Sequence, residues 1–90
     1  MVRVSRSVTI VNLLGLHARP ASELVMVASR FQATILMSRD RYEVNGKSIM
    51  GVMMLAAEKG SVIEISAEGE DAEAALDAIE ELVDRGFGEE

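Results

Sequence analysis

The sequence predicts an α+β fold, a two-layer open-faced sandwich in which four antiparallel strands carry three helices on one face. Three observations point there. Apolar residues alternate with period two in four short stretches. Three other stretches are helical, two of them with one apolar stripe. The order of these stretches is β-α-β-β-α-β-α, with a turn signal at most junctions. Ninety residues allow one domain, spanning 1–90, and no second core.

The first strand is read from Val2, Val4, Val8 and Ile10, with Arg3, Ser5, Ser7 and Thr9 between them. After Gly15 the period changes. Ala21, Leu24, Val25, Ala28 and Phe31 follow the i, i+3, i+4, i+7 spacing of an amphipathic helix beginning near Ala18. Ala33, Ile35 and Met37 share one side of a second strand. The stretch RDRYEVNGK then reads as a tight hairpin, a short third strand and an Asn45-Gly46 turn. Ser48 is placed to cap a short helix, IMGVMMLAA, closed by Lys59-Gly60. Ile63, Ile65 and Ala67 mark the fourth strand. Ala72, Ala75, Leu76, Ile79, Leu82 and Val83 stripe the last helix, with Asp71 and Glu73 favouring its start and Arg85 and Gly86 its end.

Composition removes several function classes. The chain has no cysteine, so a disulfide framework, a thiolate metal site and cysteine catalysis are out; one histidine makes a structural zinc site improbable. No cofactor is expected. Residues 68–90 hold ten acids and one arginine, net −9, while residues 1–67 hold eight Lys/Arg and five acids, net +3. With Phe31, Tyr42 and Phe87 the only aromatics, there is no basic, stacking surface for nucleic acid. No apolar run reaches the length of a membrane span or a signal-peptide core, so no membrane partner and a cytoplasmic location are expected. Nothing suggests more than a monomer. The acids of the last helix read as its solvated face.

The only histidine and the only proline fall together in GLHARPAS, residues 15–22. Gly15 supplies the turn from strand to helix, His17 takes the N-cap, Ala18 opens the helix, and Pro20 sits in its first turn, where no N–H is needed. An imidazole at the positive end of a helix dipole, with Arg19 two residues on, suits a phosphoryl group. A neutral ring nitrogen there is also a competent phosphoryl acceptor. A histidine at a helix start is ordinarily just a cap; the surrounding Gly, Arg and Pro favour chemistry. No acid in the loop can orient the ring, though a distant one could fold in.

The helix after Ser48 is apolar on every face. Ile49, Val52, Met53 and Ala56 are assigned to the core, and Met50 with Met54 to the surface, where methionine adapts to several partners. A phosphate on Ser48 would place negative charge beside that patch and switch docking off.

The motifs LGLHARPA, GKSIMGVMML and GSVIEISAEGEDAEAAL, in this order, resemble the HPr family of histidine-containing phosphocarriers of the bacterial phosphotransferase system. The resemblance covers the whole chain. It implies a carrier that is not itself an enzyme: His17 takes phosphate on Nδ1 from phosphorylated enzyme I, charged in turn by phosphoenolpyruvate, with Arg19 supporting it. The phosphate then passes to an EIIA component. Ser48 matches the serine that an HPr kinase/phosphorylase modifies in bacteria possessing it. Ile49, Met50 and Met53 are implied as docking surface, with Lys47 at its edge. Leu14 stands where many sugar-branch members carry a small or polar residue. The form NxLGLHARPA, together with RGFGE, is similar to the nitrogen-related branch, whereas Ser48-Ile49-Met50-Gly51 looks like the kinase-regulated carriers. Two other classes compete: a regulatory protein-binding module of the nitrogen-related branch, whose phosphorylation is only a signal, and a small domain whose loop merely holds an anion.

Overall fold

In a computed structural model of the chain, residues 3–89 are described. Strands β1 (Arg3–Thr9), β2 (Thr34–Arg39), β3 (Tyr42–Asn45) and β4 (Val62–Glu68) form one antiparallel sheet in the order β1-β4-β2-β3. Helices α1 (Ala18–Ala28), α2 (Ile49–Met54) and α3 (Ala72–Asp84) cover one face. A short 3-10 turn, Gly86–Gly88, follows α3.

The period-two reading explains the layers. Val8 pairs with Ile63, Met37 with Ile65 and Ile35 with Ala67, and all six point into a core that also takes Leu24 and Val25 from α1 and Leu76 and Ile79 from α3. β4 is central because its inward residues find partners on both sides. All six residues of the stripe assigned to α3 are buried. Val2, placed in the first strand by its sequence, lies outside the described residues. Arg6 occupies an inward position of β1 and reaches Glu73, Asp77 and Glu80 on α3, so part of that acidic face is paired and not simply solvated.

Two assignments need correction. The second helix ends at Met54, three residues early, because Ala56 takes a left-handed conformation (φ 49°) and the Arg39 guanidinium binds the carbonyls of Leu55 and Ala56 at 3.0 and 2.9 Å. A distant side chain thus takes over the orphan carbonyls of a helix end. Lys59-Gly60 belongs instead to the turn entering β4. The shortened helix also changes the core: Val52 is buried as expected, but Ile49, Met53 and Ala56 are exposed, and Leu55 and Ala57 take the inward places. Asp71 stands at the N-cap of α3 without capping it. Its carboxylate accepts the N–H groups of Gln32 and Ala33, both at 2.8 Å, and ties α3 to the start of β2.

Candidate phosphoryl-transfer site

The strand-to-helix junction is built around a buried asparagine. The backbone carbonyl of Asn12 accepts the Gly15 N–H, and its Nδ2 donates to the Gly15 carbonyl at 2.8 Å. Gly15 has φ +68° and packs on the backbone of Ala57 and Glu58, where Leu16 N–H donates to the Ala57 carbonyl at 2.9 Å. An L side chain at this point would be strained twice, by dihedral and by contact. The loop therefore delivers His17 in one orientation at the N-cap of α1, with Ala18, Arg19 and the buried Pro20 forming the first turn. The N–H groups of Ala18 and Arg19 belong to the set that has no partner within a helix.

The His17 ring does not cap the helix. Its Nε2 faces the carboxylate of Glu89, 2.9 Å from Oε2 and 3.1 Å from Oε1. A carboxylate only accepts, so Nε2 is the nitrogen that carries a proton, and the tautomer this contact selects has its lone pair on Nδ1. The missing acid of the loop has thus arrived from the other end of the chain. Glu89 also accepts from Asn12 Nδ2 at 2.9 Å and from Nε and Nη2 of Arg19. Arg19 further donates to the Phe87 carbonyl at 3.1 Å and pairs with Glu23 one turn on. Burial works to push the Glu89 carboxyl up, but the bonds from Asn12, Arg19 and His17 outweigh it and hold the group below the usual glutamate range.

The structure thus brings Gly15, His17, Ala18, Arg19 and Pro20 together and adds Asn12, Glu89 and the Phe87 carbonyl. Asn12 carried a faint signal, being a polar residue in an apolar run. Glu89 carried none, since acids crowd the whole C-terminal segment. Ser48 lies at the start of α2, where its Oγ accepts the Gly51 N–H at 3.1 Å, the capping role expected of it. Ile49, Met50, Met53 and Met54 are exposed, Met50 by 72 %. Lys47 is engaged elsewhere, with Nζ donating to the Phe31 carbonyl at 2.7 Å. Among the described residues no three His, Asp or Glu side chains converge to hold a metal ion, and no helix is long and apolar enough to cross a membrane.

The chain matches known proteins over nearly its whole length. Residues 4–85 match the family model described as the PTS HPr component phosphorylation site. The chain is similar to the phosphocarrier protein HPr of Treponema pallidum, 51 % identical over 97 % of this chain and 99 % of that one. It is also similar to the phosphocarrier protein NPr of Shewanella violacea, 44 % identical over 99 % and 98 %. The crystal structure of an HPr from Thermoanaerobacter tengcongensis superposes with a TM-score of 0.91, at 46 % identity over 100 % of this chain and 99 % of that one. The chain belongs to the HPr family, phosphocarrier proteins of the phosphotransferase system.

Proposed function

We propose that His17 accepts the phosphoryl group from phosphorylated enzyme I and passes it to EIIA components, as the single domain 1–90 working in the cytoplasm as a monomer. The observation that carries this reading is geometric: His17 Nε2 lies 2.9 Å from Glu89 Oε2 at the start of α1, a contact that favours the tautomer with its lone pair on Nδ1. In the transfer, Nδ1 attacks phosphorus and the Nδ1–P bond forms. The bond from phosphorus to the donor breaks, and its electron pair stays with the donor. The Nε2 proton does not move. The unpartnered N–H groups of the first helical turn and the Arg19 guanidinium then face the new charge.

Ile49, Met50 and Met53 supply the apolar surface on which enzyme I and EIIA dock, with Lys47 at its border. Ser48 is the regulatory site, open to an HPr kinase/phosphorylase. A phosphate there adds about −1.5 to −2 charges next to that surface. Incubation with phosphoenolpyruvate and enzyme I tests the reading. An acid-labile, base-stable phosphate is expected on the wild-type chain and absent from His17→Ala; a wild-type chain that takes no label overturns it. Onward transfer to a sugar-transporter EIIA separates this role from that of a purely signalling protein of the nitrogen-related branch.

A further inference from the structure

The segment leaving α2 carries no helix-breaking residue of its own. Leu55, Ala56 and Ala57 all suit a helix, yet Ala56 takes a left-handed conformation (φ 49°) that an L residue adopts only at a cost. Arg39, the last residue of β2, meets the chain at that point: its Nη1 donates to the Leu55 carbonyl at 3.0 Å and to the Ala56 carbonyl at 2.9 Å. Among the described residues no carboxylate forms an ion pair with this half-buried guanidinium, so its charge bears on the two carbonyl dipoles. The next carbonyl along, that of Ala57, accepts the Leu16 N–H at 2.9 Å and lies against Gly15. Leu16 immediately precedes His17.

We infer that Arg39 is a positioning residue for phosphoryl transfer, holding the backbone platform on which the His17 loop is seated. The inference rests on His17 as the acceptor. Arg39 acts on the ring through the backbone. It fixes the Leu55 and Ala56 carbonyls, the turn at Ala56 aims the Ala57 carbonyl at the Leu16 N–H, and that bond seats the loop. Downstream the platform is pinned separately. Ser61 Oγ accepts the Glu58 N–H at 3.0 Å, and the Gly60 N–H donates to the Ile10 carbonyl at 2.7 Å. On the α2 side the long-range hold is the one from β2. Without its donors, the strained dihedral of Ala56 loses the bonds that offset it, and the Ala57 carbonyl moves away from Leu16. Nδ1 must approach phosphorus in line with the bond that breaks. A displaced loop therefore slows the step even in a folded chain with its donor docked.

Single-turnover transfer from phosphorylated enzyme I, followed by rapid quench over a range of enzyme I concentrations, tests this on Arg39→Met, Arg39→Lys and Ile65→Val. Methionine keeps an unbranched stem and removes the donors, and lysine restores a charged donor. Ile65→Val loosens the core away from the platform, at a buried position of β4. In the same chains NMR reads the scalar coupling across the hydrogen bond from the Leu16 N–H to the Ala57 carbonyl. Arg39→Met is expected to lose that coupling and to transfer about tenfold more slowly at saturating enzyme I. Arg39→Lys regains most of both, and Ile65→Val keeps the wild-type rate and coupling. A wild-type rate for Arg39→Met at saturation, or a loss seen only as weaker enzyme I binding, overturns the inference. So do a slow Arg39→Met with its coupling intact, equal slowing by Ile65→Val, and an Arg39→Lys no faster than Arg39→Met. If Arg39→Met fails to fold, Arg39→Gln, shorter and uncharged, takes its place under the same criteria. A wild-type chain that takes no phosphate overturns the reading of His17 and this inference with it.

Discussion

A Cβ placed on Gly15 would stand 2.3 Å from the carbonyl oxygen of Ala57. Two loops that are distant in sequence therefore touch through backbone alone, and the loop bearing His17 rests on the segment that leaves α2.

Gly15→Ala follows from that contact. The substitution places an L residue in the left-handed region and drives a methyl group into a backbone oxygen, so a loss of at least about 2 kcal/mol in unfolding free energy is expected. Chemical denaturation checks it. Phosphorylation by enzyme I should slow as well, because the loop can relieve the contact only by moving His17. A stable variant with unchanged kinetics would show that the contact does not position the histidine.

Arg19→Ala should slow phosphoryl transfer by more than about tenfold, the worth of one lost charge-assisted bond. Rapid-quench kinetics with phosphorylated enzyme I measure it. Unchanged rates would remove Arg19 from the mechanism.

Substitutions on α2 should divide cleanly by burial. Met50→Glu is expected to weaken enzyme I binding and leave the melting temperature unchanged, since Met50 is exposed. Val52→Ala, at a fully buried position, should cost about 2 kcal/mol and leave the affinity of the remaining folded protein unaltered. Ser48→Asp retains a capping side chain, so calorimetric titration should find weaker binding to enzyme I with little loss of stability. Equal affinities for Ser48→Asp and wild type would count against the switch.

Acid should loosen the tie between α3 and β2. The N–H of Gln32 first, and that of Ala33 after opposing desolvation, hold the Asp71 carboxyl below its ordinary value of 3.8. A group depressed by folding stabilises fully above its unfolded pKa and loses that contribution as pH falls through the folded one. Wild-type stability should therefore drop more steeply than that of Asp71→Asn as pH falls below 3.8. Denaturation midpoints across that range test it, and parallel curves would deny Asp71 its role.

The limits of sequence reading show in particular residues. The stripe of α3 and the inward faces of β2 and β4 were legible because each repeats with the period of its own backbone. GLHARPAS was legible because Gly, His, Arg and Pro each have a local reason to be there. The end of α2 was not. Nothing within IMGVMMLAA stops a helix; Arg39, reaching over from β2, draws the Leu55 and Ala56 carbonyls out of it. The covering of the apolar residues also differs from the expectation, with Ile49 and Met53 exposed and Leu55 buried.

The sequence by itself determined the layers of this protein, the junction that holds its histidine, and the serine at the head of α2, since each is encoded by residues within a turn or two of one another. Only the tertiary structure decided the state of the histidine. A carboxylate 72 positions away selects which ring nitrogen keeps its lone pair and occupies the arginine beside it, and Asp71 is drawn from its own helix to Gln32 and Ala33. Such pairings depend on distance in space and on desolvation, and neither quantity exists until the chain has folded.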